Sequence, residues 1–178
     1  QILPVRVMNA RGAGSDRAIA RGVRYAADKG AQVINLSLGA SLTIDADTVS
    51  EQVTAAIRYA QGKGSMVVVA AGNDFLPLEN AIVGDNPDVL VVAATDENDI
   101  KADFSNSGKW IGVTAPGVHI LSTMPTYDVY LTSEVPRSER FEQGYDYMSG
   151  TSQATPFVSA LAALLFSAHP DWDALQVE

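Results

Sequence analysis

Four short runs of valine, isoleucine and leucine place the strongest constraint on how this chain folds. Each run is nearly continuous in apolar residues instead of alternating with polar ones, a pattern typical of strands buried on both faces of a parallel sheet. The runs are Ile2–Met8, Val33–Leu38, Met66–Ala71 and Val89–Ala94. Two further short strands are predicted at Ile111–Ala115 and Val118–Ser122.

Helical patterns separate these strands. The first helix is predicted to begin with Asp16 as its N-cap and to run to about Lys29, where Gly30 ends it. The second is predicted from Thr48 to about Gln61. Because strands that alternate with helices form parallel sheets through right-handed crossovers, the predicted fold class is α/β, a three-layer α/β/α sandwich on a mostly parallel sheet.

The most apolar stretch, Ala154–Ala168, predicts a buried core helix that ends near His169 and Pro170. It is shorter than the roughly 20 apolar residues that a bilayer requires, so no membrane partner is expected. Residues 1–7 do not have the pattern of a signal peptide. By contrast, the polar segment Pro125–Tyr147 has neither helical nor strand periodicity, and loops of that length are usually functional or mobile.

Composition excludes several classes of function. The formal net charge is −9 and lysine and arginine do not cluster, so no nucleic-acid partner is expected. The sequence contains no cysteine, which excludes a disulfide framework, a thiolate zinc site and a cysteine nucleophile.

The segment Ser149–Pro156 leads directly into the apolar helix and carries the clearest chemical signal. A serine at a helix N-terminus lies among unpaired backbone N–H groups, at the positive end of the helix dipole, which favours attack that creates an oxyanion. Pro156 is expected in an early turn, where its missing N–H costs little. The alternative is that Thr151 or Ser152 is only an N-cap.

Three blocks in this order resemble segments of the subtilisin-like serine proteases. Ser149–Pro156 resembles the nucleophile signature of that family, in which Gly-Thr-Ser is followed by a variable residue, Ala, Ser or Thr, and Pro. Val33–Gly39 resembles the strand that lines the substrate cleft, and Val67–Asn73 the strand that delivers an asparagine to the oxyanion. The resemblance covers nearly the whole chain and implies a subtilisin-like fold and a serine endopeptidase.

The resemblance implies roles for individual residues. Ser152 would be the catalytic nucleophile, and Asn73 would donate its side-chain amide to the oxyanion together with the backbone N–H of Ser152. The substrate-binding residues would be Ser37, Leu38 and Gly39 on one wall of the cleft and Ala71 and Gly72 on the other. From sequence alone, Asn73 is equally well a loop residue with an unusual backbone angle, and Ser37–Gly39 simply the end of a strand.

The chain departs from the family where the catalytic acid and base would be. The family's Asp and His blocks precede the strand that Ile2–Met8 resembles, and neither block occurs in these residues. The two histidines, His119 and His169, both follow Asn73 and are not expected to act as bases. Residues 1–178 are therefore expected to be the C-terminal portion of a peptidase domain, lacking its N-terminal strands and inactive alone.

Smaller departures concern metals and packing. Lys109–Gly112 lacks the acidic side chains that bind a cation in some relatives, so neither a metal nor a cofactor is expected. Phe157 occupies a position where the family usually has histidine, and it is expected to face the core.

Two alternatives to a protease stay open. One is a non-catalytic scaffold or peptide-binding protein that keeps the cleft. The other is an esterase, although Ala154 stands where a Gly-x-Ser-x-Gly elbow would need glycine.

The expected partners are a polypeptide substrate, the missing N-terminal part of the domain, and a second copy of the chain. In the family, a strand lies between the one that Ile2–Met8 resembles and the one that Val33–Leu38 resembles. Its absence predicts either direct pairing of these two segments or exchange between molecules, and hence self-association. The resemblance implies an extracellular or cell-envelope location.

Overall fold

The central element is a four-stranded, fully parallel sheet. The computed structural model describes residues 1–38, 51–77 and 89–177. The sheet follows the order β1-β2-β3-β4. In chain order, its strands are β1 (Val33–Leu36), β2 (Met66–Ala70), β3 (Val89–Thr95) and β4 (Val113–Pro116). Four of the six predicted strands are these, with bounds shifted by a few residues at most.

Three helices cover the two faces of this sheet and a short one follows them. They are α1 (Asp16–Asp28), α2 (Glu51–Gly62), α3 (Thr151–Ala168) and α4 (Ala174–Val177). Ser15 is the N-cap of α1, and its hydroxyl accepts the N–H of Ala18, so the prediction that Asp16 is the N-cap was wrong by one residue. The predicted start of the second helix at Thr48 lies outside the described residues.

Alternate residues of the central strands divide the interior into two cores. On β2, Val67 and Val69 contact the core that α1 and α2 share, whereas Met66 and Val68 contact the core beneath α3. All five residues of β2 and all seven of β3 are buried, as continuous apolar runs predict. The predicted three-layer α/β/α sandwich is confirmed.

The edge strand β1 is less buried than its pattern predicts. Only Ile34 of its four residues is fully buried, and Asn35 is exposed. β1 pairs with β2 alone, so its other edge has no strand partner among the described residues. An edge strand is covered from fewer sides than a central one, which explains the difference.

Residues 2–8 form no strand, and the prediction of one was wrong. They lie along α1, where Val5 packs on the α1/α2 core. Gly22 permits this approach, because a Cβ there would lie 2.3 Å from Val7 Cγ1. The predicted direct pairing with β1 is also absent from the described residues. A strand needs a ladder partner, and the exposed backbone of Ile2 to Pro4 can bond water instead.

The segment after β4 contains more structure than its sequence predicts. An antiparallel hairpin joins β5 (Ile120–Thr123) to β6 (Tyr145–Met148). Between them lie a π-helical turn at Tyr130–Glu134 and a 3₁₀ turn at Arg137–Glu139. The expectation that Pro125–Tyr147 lacks regular structure was therefore wrong; its elements are too short to carry a visible period.

Helix α3 is buried on one face only, which corrects the prediction of a buried core helix. Ala154, Val158 and Ala162 face the sheet. On the opposite face the side chains of Phe157, Leu161 and Leu164 are 48%, 57% and 67% exposed. The expectation that Phe157 faces the core was thus wrong. No helix in the described ranges is long and apolar enough to cross a membrane.

Candidate active site

The N-terminus of α3 presents Ser152 in its first turn. Gly150 is the N-cap, and its N–H bonds the carbonyl of Gly117 at 2.8 Å. Thr151 and Ser152 are the first two helical residues, so the alternative that one of them is the N-cap was wrong. The backbone N–H of Ser152 has no hydrogen-bond partner among the described residues, as expected for a first-turn donor.

Asn73, just beyond the end of β2, is fixed against this turn. Its Oδ1 accepts the backbone N–H of Thr151 at 2.8 Å and the Thr151 hydroxyl at 2.9 Å. A backbone N–H can only donate, so the bonded atom must be the amide oxygen, which fixes the orientation of the amide. The Nδ2 group is left as a free donor within the described part of the chain. It lies beside Gly150, where an added Cβ would be 3.3 Å away.

Gly72 and Thr151 connect the two elements that carry Asn73 and Ser152. The Gly72 N–H donates to Thr151 Oγ1 at 3.0 Å. Gly72 has φ +96, and a Cβ there would lie 2.5 Å from Asn106 Nδ2. Glycine is therefore required at this position both by the backbone angle and by the close approach of Asn106.

Asn106 hydrogen-bonds the loop that carries Asn73, and it was not predicted as a site residue. Its side chain is 1% exposed. Its Oδ1 accepts the N–H groups of Asp74 and Leu76, and its Nδ2 donates to the Ala71 carbonyl at 3.0 Å. Thr151 was missed as well. For Thr151 the available signal was its place next to Ser152, the expected nucleophile.

Pro156 creates a gap in α3 that Ser37 fills. In an α-helix the carbonyl of Ser152 would accept the N–H of residue 156, but proline has none. The Ser37 hydroxyl donates to that carbonyl instead, at 2.8 Å. Pro156 is too far into the helix for its missing N–H to cost little, so that expectation was wrong. The cost is offset by a side chain from the end of β1.

Two side-chain hydrogen bonds in series hold Ser37 in this position. Ser159 Oγ donates to Asn35 Oδ1 at 2.8 Å, and Asn35 Nδ2 donates to Ser37 Oγ at 2.9 Å. Together with the bond from Ser37 to the Ser152 carbonyl, these hydrogen bonds connect β1 to α3 at two positions along the helix. The Ser152 hydroxyl itself donates to the Ser37 carbonyl at a long 3.4 Å.

Of the three remaining residues expected to bind substrate, the structure describes two. Leu38 is partly buried and directly follows Ser37. Ala71 is fully buried with its side chain in the α1/α2 core, so only its backbone is close to the loop of Asn73. Gly39 lies outside the described residues.

Neither histidine hydrogen-bonds the Ser152 hydroxyl among the described residues. His169 caps the far end of α3, about 25 Å along the helix, with its ring stacked on Trp172 at 3.8 Å. The ring of His119 lies near Tyr147, with centroids 6.2 Å apart, and its backbone N–H bonds Ser149 Oγ. In the described part of the chain, no three His, Asp or Glu residues form a group that could hold a metal ion.

Comparison with known proteins identifies the class. A family model described as "Subtilase family" matches residues 1–178. The chain is 41% identical over 172 residues to "Thermophilic serine proteinase" of Bacillus sp. (strain AK1), covering 94% of this chain and 36% of that protein. It is 39% identical over 180 residues to "Cell wall-associated protease" of Bacillus subtilis (strain 168), covering 100% and 17% respectively.

Solved structures agree with these sequence matches. The fold is similar to that of a cold adapted subtilisin-like serine proteinase, with a TM-score of 0.75 and 29% identity over 97% of this chain and 55% of that one. The chain therefore spans only part of each of these relatives, from about a sixth to about half of their length. The chain belongs to the subtilase family.

Proposed function

We propose that residues 1–178 are the nucleophile-bearing, C-terminal portion of a serine endopeptidase domain of the subtilisin type. Ser152 is the nucleophile, and Asn73 and the backbone N–H of Ser152 are the donors to the oxyanion. The substrate is a polypeptide, held in extended form along Ser37, Leu38 and Gly39 on one side and the backbone of Ala71 and Gly72 on the other.

The orientation of the Asn73 amide is the observation that carries this proposal. Both hydrogen bonds from Thr151 end on Oδ1, so the Nδ2 donor is left for a ligand beside Ser152. A second donor, the Ser152 N–H, lies in the first turn of the helix that holds the hydroxyl. Two preorganised donors next to a serine are the arrangement that stabilises a tetrahedral oxyanion.

The reaction follows from these positions. The Ser152 oxygen attacks the substrate carbonyl carbon, and the carbonyl electron pair moves onto its oxygen, facing Asn73 Nδ2 and the Ser152 N–H. The hydroxyl proton passes to a base and then to the amide nitrogen as the C–N bond breaks and the amine leaves. Water hydrolyses the resulting ester by the same steps.

As the family membership implies, the base in this scheme comes from sequence outside residues 1–178; among the described residues no base hydrogen-bonds the Ser152 hydroxyl. Without it, residues 1–178 alone are inactive. The only hydrogen bond that Ser152 Oγ makes among the described residues is the long one to a carbonyl. That bond is also what a non-catalytic scaffold would show, so the scaffold stays as the second candidate.

The partners and location follow from the same family membership. We propose that the protein acts at the cell envelope or outside the cell, because one relative is named as a cell wall-associated protease. We also propose that residues 1–178 self-associate when isolated, through the open edge of β1 and the exposed face of α3.

The proposed roles are tested on the protein that contains this chain in its full length. Asn73→Ala should lower kcat for a peptide substrate by about 10²–10³-fold with little change in KM, because the amide acts on the transition state. Ser152→Ala should abolish labelling by a fluorophosphonate. Full activity of either variant would exclude the assignment, and inactivity of the unmodified protein would favour the scaffold.

A further inference from the structure

The segment between β5 and β6 encloses a cavity that the proposed catalytic site does not use. Its volume is about 370 Å³ and it opens to solvent. The residues that line it come from the two short helical turns and the chain after them: Thr132, Arg137, Arg140, Phe141, Glu142 and Gln143.

Backbone and hydroxyl bonds hold the walls of this cavity in place. The hydroxyl of Ser133 donates to the Val129 carbonyl at 2.8 Å, and Thr132 Oγ1 accepts the Val129 N–H at 2.9 Å. The Phe141 N–H then bonds the Leu131 carbonyl at 3.1 Å, closing the segment on itself. Val135, in the middle, is only 9% exposed. The cavity is therefore preorganised.

The charge of the cavity is unusual for so acidic a chain. Arg137 and Arg140 both line it, and neither forms an ion pair within the described residues. Arg140 donates its Nε to the Val135 carbonyl at 3.0 Å, a bond that leaves its terminal amino groups for a ligand. Only Glu142 opposes the two guanidinium groups from the lining.

Two nearby carboxylates are engaged in other hydrogen bonds. Asp146 accepts the backbone N–H groups of Glu142 and Tyr147. Asp128 Oδ1 accepts a hydrogen bond from the side-chain amide of Gln143 at 2.9 Å. Among the lining residues Glu142 thus supplies the one carboxylate against two guanidinium groups. A guanidinium is shaped to bind a carboxylate through two parallel hydrogen bonds.

The position of the cavity relates it to the candidate active site. The sheet order puts β1 and Ser37 at one edge and β4 at the other. The β5–β6 hairpin continues from the β4 edge, where the Gly150 N–H bonds the Gly117 carbonyl. The hairpin that carries the cavity is therefore joined to the rest of the fold at the sheet edge opposite β1 and Ser37. Ser152 follows Gln143 by nine positions in the sequence, so the two are at most about 32 Å apart.

We infer that this cavity binds a carboxylate of the polypeptide substrate, on the leaving-group side of Ser152. The inference rests on the proposed protease function, in which Ser37–Gly39 hold the acyl part of the substrate. An extended peptide has the same reach per residue as the protein chain, so the carboxylate lies at most about nine residues beyond the scissile bond. Either an acidic side chain or the peptide's C-terminal carboxylate supplies it, and Phe141 offers an apolar contact for the adjoining carbons.

The test measures peptide binding to the full-length protein carrying Ser152→Ala, so it does not depend on catalysis. Three fluorescent peptides of about ten residues are compared at low salt: one with Glu and an amidated C-terminus, one with Gln and an amidated C-terminus, and one with Gln and a free carboxylate. Fluorescence anisotropy should give an affinity at least about tenfold higher for a peptide with a carboxylate than for the neutral peptide. The first and third peptides distinguish the two sources.

Variants localise the effect. The Arg137→Ala/Arg140→Ala variant should lose the preference for the acidic peptides, whereas Glu142→Gln should strengthen it by removing a like charge. The control is Arg58→Ala, which removes an exposed arginine from α2 on the other face of the sheet. Equal affinity for all three peptides, or equal loss in the control variant, would overturn the inference.

The experiments distinguish failure of the cavity inference from failure of the proposed protease function. Loss of the preference with intact fluorophosphonate labelling of the full-length protein removes the subsite and leaves the protease. Preference for acidic peptides without any labelling removes the protease and shows a peptide-binding protein, and the substrate inference falls with it.

Discussion

At the scale of single residues, the site depends on polar groups that satisfy one another. Thr151 fixes the amide of Asn73 through two hydrogen bonds and accepts the N–H of Gly72. Ser37 replaces the helical bond that Pro156 cannot make. In each case a side chain compensates for a geometric demand of the backbone at the N-terminus of α3.

The role of Ser37 predicts an energetic coupling with Pro156. Ser37→Ala leaves the Ser152 carbonyl without a partner and should lower the free energy of unfolding by about 1–3 kcal/mol. Pro156→Ala restores an N–H to that turn, so the same serine substitution should cost less in its presence. Denaturant unfolding of the four proteins in a double-mutant cycle measures this coupling. Purely additive effects would show that the Ser37 bond does not compensate for the proline.

At the scale of elements, the sequence predicted central strands better than edges. Continuous apolar runs placed β2 and β3 correctly because both are buried on two faces. Residues 2–8 carry the same pattern but form no strand, since a run of apolar residues indicates burial and does not supply a ladder partner. Similarly, the composition of α3 predicted burial all round, whereas its outer face is exposed.

Only those parts of the candidate site that carry a local sequence pattern could be predicted. The segment around Ser152 and the strand end at Asn73 carry local patterns that a sequence can show. The contacts of Asn106 with Asp74, Leu76 and Ala71 join positions about thirty residues apart, and no local pattern encodes them. The hairpin strand β6 was missed because Tyr145–Met148 alternates over only four residues.

Two aspartates with lowered pKa values predict how the free energy of unfolding depends on pH. The Tyr59 hydroxyl, 2.6 Å from Asp28, and then Lys63 hold the pKa of Asp28 below its ordinary value. The backbone N–H of Ile100, and then that of Asn98, lower the pKa of Asp96 in a turn. A carboxylate with a lowered folded pKa stabilises the protein above its unfolded pKa, and this contribution is lost as the pH falls through the folded pKa.

The Asp28→Asn/Asp96→Asn variant should therefore be less stable than the unmodified chain at pH 7 and equally stable near about pH 2. Urea midpoints at the two pH values measure the difference. Asp103→Asn, which removes the charge of an exposed aspartate with no hydrogen bond among the described residues, is the matched control. A difference that persists unchanged at the acidic pH would mean that the substitutions act through packing and not through ionisation.

At the scale of the whole molecule, two unpaired surfaces meet. The open edge of β1 and the exposed face of α3 lie on neighbouring elements, joined by the bond between Asn35 and Ser159. Exposed strand edges and contiguous apolar patches are both prone to association. We expect the isolated chain to form dimers or larger species through this surface.

Substitutions on the outer face of α3 test this expectation. Leu161→Glu/Leu164→Glu should shift the isolated chain toward the monomer, because both side chains are mostly exposed and their loss leaves the core intact. Size-exclusion chromatography with light scattering reports the mass. Leu175→Glu alters an equally exposed leucine on α4 and is the control. A stable monomer of the unmodified chain would refute self-association.

The central claim is that Ser152 and Asn73 form the nucleophile and oxyanion site of a protease whose base lies outside these residues. Fluorophosphonate labelling of residues 1–178 alone, at neutral pH, tests it most directly. The account predicts no stoichiometric labelling within minutes, since without its base a serine reacts about 10³–10⁶-fold more slowly than in a complete triad. Rapid, stoichiometric labelling that Ser152→Ala abolishes would contradict the account, because it would require a base within these residues.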